Sequence, residues 1–152
     1  MIYTITLNPA VDYIMHVPTL NTGETNRSEN ESFYLGGKGI NVSIVLNNLG
    51  VESTTLGLLG GFSGAFIQEK LQAYQHIRTE FIKTDQITRI NVKLKGEQET
   101  EINGAGSKIT AADERKITMN VERLEDAAIV VLAGSKAAGM TENWYYQKEK
   151  KL

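Results

Sequence analysis

The chain is 152 residues long, a length that suits one domain. Its 16 basic and 18 acidic side chains nearly cancel, leaving a formal net charge of −2 and no sign of a basic face for nucleic acid. There is no cysteine, which excludes disulfides and cysteine-ligated metals, and no apolar stretch approaches the ~20 residues of a membrane span.

Asn8, Pro9 and Asp12 interrupt the opening residues early, and no basic region precedes an apolar run. No signal peptide is therefore expected, and the cytoplasm is the expected compartment. The Asn-x-Ser triplets at Asn26, Asn30 and Asn41 then read as chance patterns. Residues 2–7 are rich in β-branched side chains and predict a strand. Asn8-Pro9-Ala10 closes it, and Asp12 follows. A carboxylate just past the end of a first strand sits where open α/β sheets bind ligands; a turn-capping Asp is the plainer alternative. Residues 13–17 predict a short second strand, with His16 as a partly covered strand residue. Residues 21–31 are polar and loop-like, and Arg27 is their only cation. A lone exposed arginine is ordinarily just solvated.

Next comes Gly36-Gly37-Lys38-Gly39-Ile40-Asn41, a glycine turn feeding a helix. Ile40, Val42, Ile44, Val45, Leu46 and Leu49 make that helix largely apolar, and Gly50 marks its stop. Glycines let backbone approach a ligand, and a helix start offers N–H groups to an anion. Lys38 adds a full charge there, and Asn41 offers a carbonyl and an amide to sugar hydroxyls. A glycine-rich βα turn without a ligand has the same composition. A P-loop is excluded because Gly39, not Ser or Thr, follows Lys38. A dinucleotide fingerprint is excluded because Val42 stands where Gly or Ala is needed.

Residues 53–59 predict a strand of a parallel sheet. Gly60-Gly61 opens a second helix with Phe62, Phe66, Ile67, Leu71 and Tyr74 on one face. Residues 77–83, 88–95 and 99–103 predict strands, and Lys95-Gly96-Glu97-Gln98 is a hairpin turn. Arg89 lies in the second of these strands. Thr110-Ala111-Ala112-Asp113 predicts a capping box, opening a helix with Ile117, Val121 and Leu124 inward. The apolar run 127–133 predicts a strand buried on both faces, ended by Gly134-Ser135. Residues 141–152 predict a helix, with Trp144 against the sheet and Lys148-Glu149-Lys150-Lys151 as a solvated end. This order of elements predicts a doubly wound α/β domain with a small β excursion.

From Asn41 through Ser43 and Gly50 to Gly60, the spacing resembles the first signature of the ribokinase-like (phosphofructokinase B) carbohydrate kinases. Residues 1–12, 88–93 and 99–104 resemble the 1-phosphofructokinase branch, with tagatose-6-phosphate kinase as its near alternative. The resemblance covers only the front half of that family's length. It implies an incomplete ribokinase-like doubly wound domain over residues 1–152. A β-sheet lid would be drawn from about 13–35 and 88–103, and would pair with a second lid in a homodimer.

By position, the resemblance assigns sugar hydroxyls to Asp12, to the Gly36-Gly37 backbone and to Asn41. It assigns the phosphate already on the sugar to Arg27, Lys38 and Arg89, and a further substrate contact to Ser135. Three cations around one phosphate dianion make physical sense as charge-assisted hydrogen bonds. The implied reaction is phosphoryl transfer from ATP to fructose 1-phosphate, with Mg²⁺. The family's base Asp, on a Gly-Ala-Gly-Asp helix start, and its Asn-x-x-Glu motif have no counterpart at the expected positions. No catalytic residue and no ATP or Mg²⁺ contact is therefore assigned here. Gly104-Ala105-Gly106 imitates the first motif, but Ser107 replaces the carboxylate. Asn21 with Glu24 and Asn26 with Glu29 imitate the second, far from its place. Lys136-Ala137-Ala138-Gly139 replaces the family's proline turn after Ser135. The chain is thus expected to be inactive alone, to take a phosphorylated ketohexose as partner, to bind no nucleic acid or membrane, and to self-associate. A non-catalytic sugar-phosphate-binding or dimerisation module is the rival from another class.

Overall fold

The computed structural model describes residues 1–124 and 127–150. Strand β1 (Ile2–Thr6) lies inside a parallel sheet. On one flank it pairs with β4 (Ser53–Gly60), which pairs with β5 (Ile77–Thr84). On the other flank it pairs with β8 (Ile129–Leu132), giving the order β5-β4-β1-β8. Parallel neighbours need crossover connections, and α1 (Lys38–Asn48), α2 (Gly61–Leu71) and α3 (Ala111–Glu122) supply them.

Alternation along the strands sends side chains to two faces. Ile5, Leu7, Leu56 and Leu58 pack with Ile117 and Val121 of α3 and with Trp144 of α4 (Trp144–Glu149). The opposite face of β1 meets α1: Thr4 Oγ1 and Ser43 Oγ share a hydrogen bond of 2.7 Å, and Ile40 N donates to Thr6 Oγ1 at 3.0 Å. Ile40, Leu59, Ile67 and Leu71 build the second core there. Helices cover both faces, as the doubly wound expectation required. All of β4 is buried.

A second sheet holds β2 (Ala10–His16), β3 (Asn30–Gly36), β6 (Arg89–Lys95) and β7 (Thr100–Asn103), in the order β3-β2-β6-β7. β2 runs antiparallel to β3 and parallel to β6, and β6 and β7 form the expected hairpin. One face is apolar and carries Val11, Tyr13, Leu35, Phe33, Ile90, Val92 and Ile102. Tyr13 stacks on Phe33 at 4.4 Å between ring centroids, and Phe33 meets Phe66 of α2 edge-on. The other face carries Asp12, Tyr34, Asn91 and Asn103 in one row.

Several expectations need correction. Asp12 lies within β2, which starts at Ala10 rather than residue 13, because Ala10 is already in register with both Gly36 and Arg89. It is not a turn cap. β7 starts at Thr100 instead of residue 99. Val45 of α1 and Leu49 just past its end face solvent, since only one side of the helix meets the sheet. Phe62 is exposed, and Tyr74 follows the end of α2 rather than lying on it. β8 is shorter than 127–133 and is not buried on both faces: among the described residues it pairs only with β1, and Ile129 is 52% exposed. The last helix covers Trp144–Glu149, and residues 151–152 of that expectation lie outside the described residues. Lys148 is not solvated. It is buried, its Nζ donates to Glu122 Oε1 at 2.6 Å, and it lies over the Trp144 ring. Burial pushes the neighbouring Tyr145 hydroxyl up to about 12, so it stays protonated and donates to Ala133 O.

Candidate functional site

The site residues gather where β1 ends, α1 begins and the second sheet joins the first. Gly37 caps α1 with φ +125°, a conformation that favours glycine, and a Cβ there would meet Thr6 Cγ2 at 2.7 Å. The glycine turn therefore presses the start of α1 onto the end of β1. Lys38 follows, exposed, and its stem lies beside Gly134 just past β8. Asn41 is also exposed, and its i+3 spacing puts it on the same side of α1 as Lys38.

Asn8 links the remaining groups. Its carbonyl accepts from Arg89 Nη2 at 3.1 Å, and its Nδ2 donates to Ser135 Oγ at 3.3 Å. The Asn8 side chain packs against Gly106, whose φ of +93° again suits glycine. Arg89 Nη1 donates to Gly104 O at 3.3 Å, while its Nε is buried without a partner. The guanidinium is thus braced by two backbone carbonyls and keeps further donors on its fork. Ser107 Oγ donates to Ile87 O at 2.7 Å, which ties down the loop after Gly106.

Asp12 sits one strand away. Its carboxylate accepts from Asn91 Nδ2 at 2.9 Å and pairs with Lys93 Nζ at 3.1 Å. A Cβ on Gly36 would come within 2.8 Å of Asp12 Oδ1, so the glycine backbone lies directly against this carboxylate.

Of the eight expected binding residues, Asp12, Gly36, Gly37, Lys38, Asn41, Arg89 and Ser135 share this end of the molecule. Arg27 does not. It is exposed in the loop between β2 and β3, at the His16–Asn30 end of the hairpin. The strand between carries it roughly 20 Å from Gly36, at about 3.3 Å per residue. Sequence reasoning missed Asn8, Asn91 and Lys93. The last two were legible as the polar alternation Arg89, Asn91, Lys93 on one face of a strand. Among the described residues, no group of three or more His, Asp or Glu side chains is placed to hold a metal ion.

The pfkB family carbohydrate kinase profile matches residues 5–149. The chain is 46% identical to the 1-phosphofructokinase of Bacillus subtilis over 95% of its own length and 48% of that protein's. It is 32% identical to the D-tagatose-1-phosphate kinase of Bacillus licheniformis, covering 95% of this chain and 47% of that one. A Staphylococcus aureus crystal structure assigned to the phosphofructokinases superposes with a TM-score of 0.91 at 42% identity, over 99% of this chain and 49% of that chain. The chain therefore spans about half the length of the curated relatives it matches. With its doubly wound sheet and its βα glycine turn, it belongs to the pfkB family of carbohydrate kinases.

Proposed function

We propose that this chain is the substrate-binding half of a kinase that transfers the γ-phosphoryl group of ATP to fructose 1-phosphate, giving fructose 1,6-bisphosphate. One observation carries the reading. A carboxylate for hydroxyls (Asp12) and two cations for a phosphate (Lys38 and a braced Arg89) meet at the end of β1, in a chain 46% identical to a 1-phosphofructokinase. In this reading Asp12, the Gly36-Gly37 backbone, Asn41 and Ser135 hold the sugar, and Lys38 and Arg89 hold its phosphate. Arg27 contributes only if its loop reaches a phosphate beyond its own site. ATP and Mg²⁺ belong to the reaction of the whole kinase, and none of the described residues is assigned to either. The similarity to D-tagatose-1-phosphate kinase favours one second reading, a tagatose phosphate in the same site. Both relatives' names place a phosphate on C1 of a ketohexose.

Calorimetric titration tests this. The chain should bind fructose 1-phosphate and not fructose. Arg89→Ala should weaken that binding by about tenfold or more, given about 1.5–3 kcal/mol for a hydrogen bond to a charged group. Unchanged affinity removes Arg89 from the site.

The same half-kinase should associate. The apolar face of the second sheet leaves Phe33 55% and Ile102 61% exposed, and β8 offers an open strand edge. Two such sheets facing each other would form a homodimer through the lid. Light scattering during chromatography at several concentrations should show dimers or larger species. A monodisperse monomer with one cooperative melt overturns the association.

A further inference from the structure

Asp12 is held from two sides by a single neighbouring strand. Asn91 Nδ2 donates to Oδ1, and Lys93 Nζ pairs with Oδ2 at 3.1 Å. The Gly36 backbone closes a third side. Asn91 is only 8% exposed, whereas the Asp12 and Lys93 side chains keep 18% and 27% of their surface open. The other charged group within reach is Glu101, 3.8 Å from the same ammonium.

A carboxylate offers about four lone-pair directions, two on each oxygen. Here Asn91 uses one direction on Oδ1, and the Lys93 ammonium lies against Oδ2 as an ion pair. Acceptor capacity remains on both oxygens of a group that cannot rotate without breaking two contacts. That arrangement matches two hydroxyls on adjacent carbons.

We propose that Asn91 and Lys93 are positioning residues that lock Asp12 in a bidentate orientation for a vicinal diol, acting on the sugar only through that carboxylate. The inference rests on the sugar-phosphate reading above. It adds two residues from β6 whose loss should affect recognition of the sugar but not of the phosphate.

The experiment is a double-mutant cycle on the 152-residue chain, titrated separately with fructose 1-phosphate and inorganic phosphate. Asn91→Leu and Lys93→Met should each weaken fructose 1-phosphate about tenfold, yet cost less than about twofold once Asp12→Ala is present, as coupled neighbours do. Inorganic phosphate binding should stay within about twofold throughout, and Lys93→Arg should recover most of the loss by keeping the charge. Equal losses with and without Asp12, or equal losses for inorganic phosphate, overturn the proposal. A second measurement needs neither ligand nor a β6 variant. In the unliganded chain the Asn91 side-chain amide resonance should shift on Asp12→Ala, and an unmoved resonance overturns the contact itself. If the unsubstituted chain binds neither probe while that resonance does shift, the sugar-phosphate reading fails and the geometry of Asp12 stands.

Discussion

Purified 152-residue chain, free of contaminating kinase, will form no fructose 1,6-bisphosphate from ATP and fructose 1-phosphate. Phosphoryl transfer needs a base to take the hydroxyl proton, donors or a metal to spread the charge of the transferring group, and alignment of the two reactants. In the proposed reading the described residues supply the third requirement for the sugar alone: Asp12, Lys38 and Arg89 would orient one reactant, and the Asp12 carboxylate is already engaged by Asn91 and Lys93. Ser107, which stands where a base Asp would complete the Gly104-Ala105-Gly106 imitation, donates its proton to Ile87 O instead. A coupled assay for ADP release together with a direct assay for the bisphosphate measures this. Turnover that survives repurification and disappears in Asp12→Ala would show that the chain holds a base and a nucleotide site that these arguments overlook.

The largest effect on stability is expected at Trp144. The side chain is 1% exposed, packs against the core of Ile5, Leu7, Leu56 and Ile117, and donates from Nε1 to Thr118 Oγ1 at 2.9 Å. Trp144→Ala empties that volume, strands the Thr118 hydroxyl and removes the ring beneath Lys148. A cost of about 3–5 kcal/mol is expected, which is a large share of the roughly 5–15 kcal/mol that holds a domain together. Trp144→Phe refills most of the space and should cost markedly less. Because this is the chain's single tryptophan, the urea midpoint must be followed by circular dichroism rather than fluorescence. A loss below about 1 kcal/mol in Trp144→Ala would show that α4 does not contribute to the core.

What could be read from the sequence depended on the range of the interactions. The capping box formed as its residues dictate: Asp113 N donates to Thr110 Oγ1 and the Thr110 backbone donates back to the Asp113 side chain. Gly50 takes φ +73° just past α1, and the Lys95–Gln98 turn joins two paired strands. Each of these is decided within a few residues. The turn-cap alternative for Asp12 stayed open in the sequence because its place in β2 is set by pairing with β3 and β6, distant along the chain. Lys148 looked solvated because Glu122 and the Trp144 ring reach it only through tertiary packing. The apolar run at 127–133 promises two buried faces, but burial there depends on what lies beyond β1, which residue types alone cannot state. Arg27 lies in the loop at the His16–Asn30 end of the hairpin, a placement that its neighbours in sequence do not state.

The place of β1 has a kinetic consequence. It comes before the other described strands in sequence, yet its partner on the second flank is β8, where Ile2 is in register with Ile129. Until β8 arrives, one ladder of β1 N–H and C=O groups is exposed beside the apolar residues Ile5 and Leu7. Closing so long a segment is entropically slow, so helices and the β4–β5 pair should form well before the last edge is sealed. The β5-β4-β1 ladder would then form ahead of the β1–β8 pairing, and an unsealed β1 edge is a template for pairing with another chain.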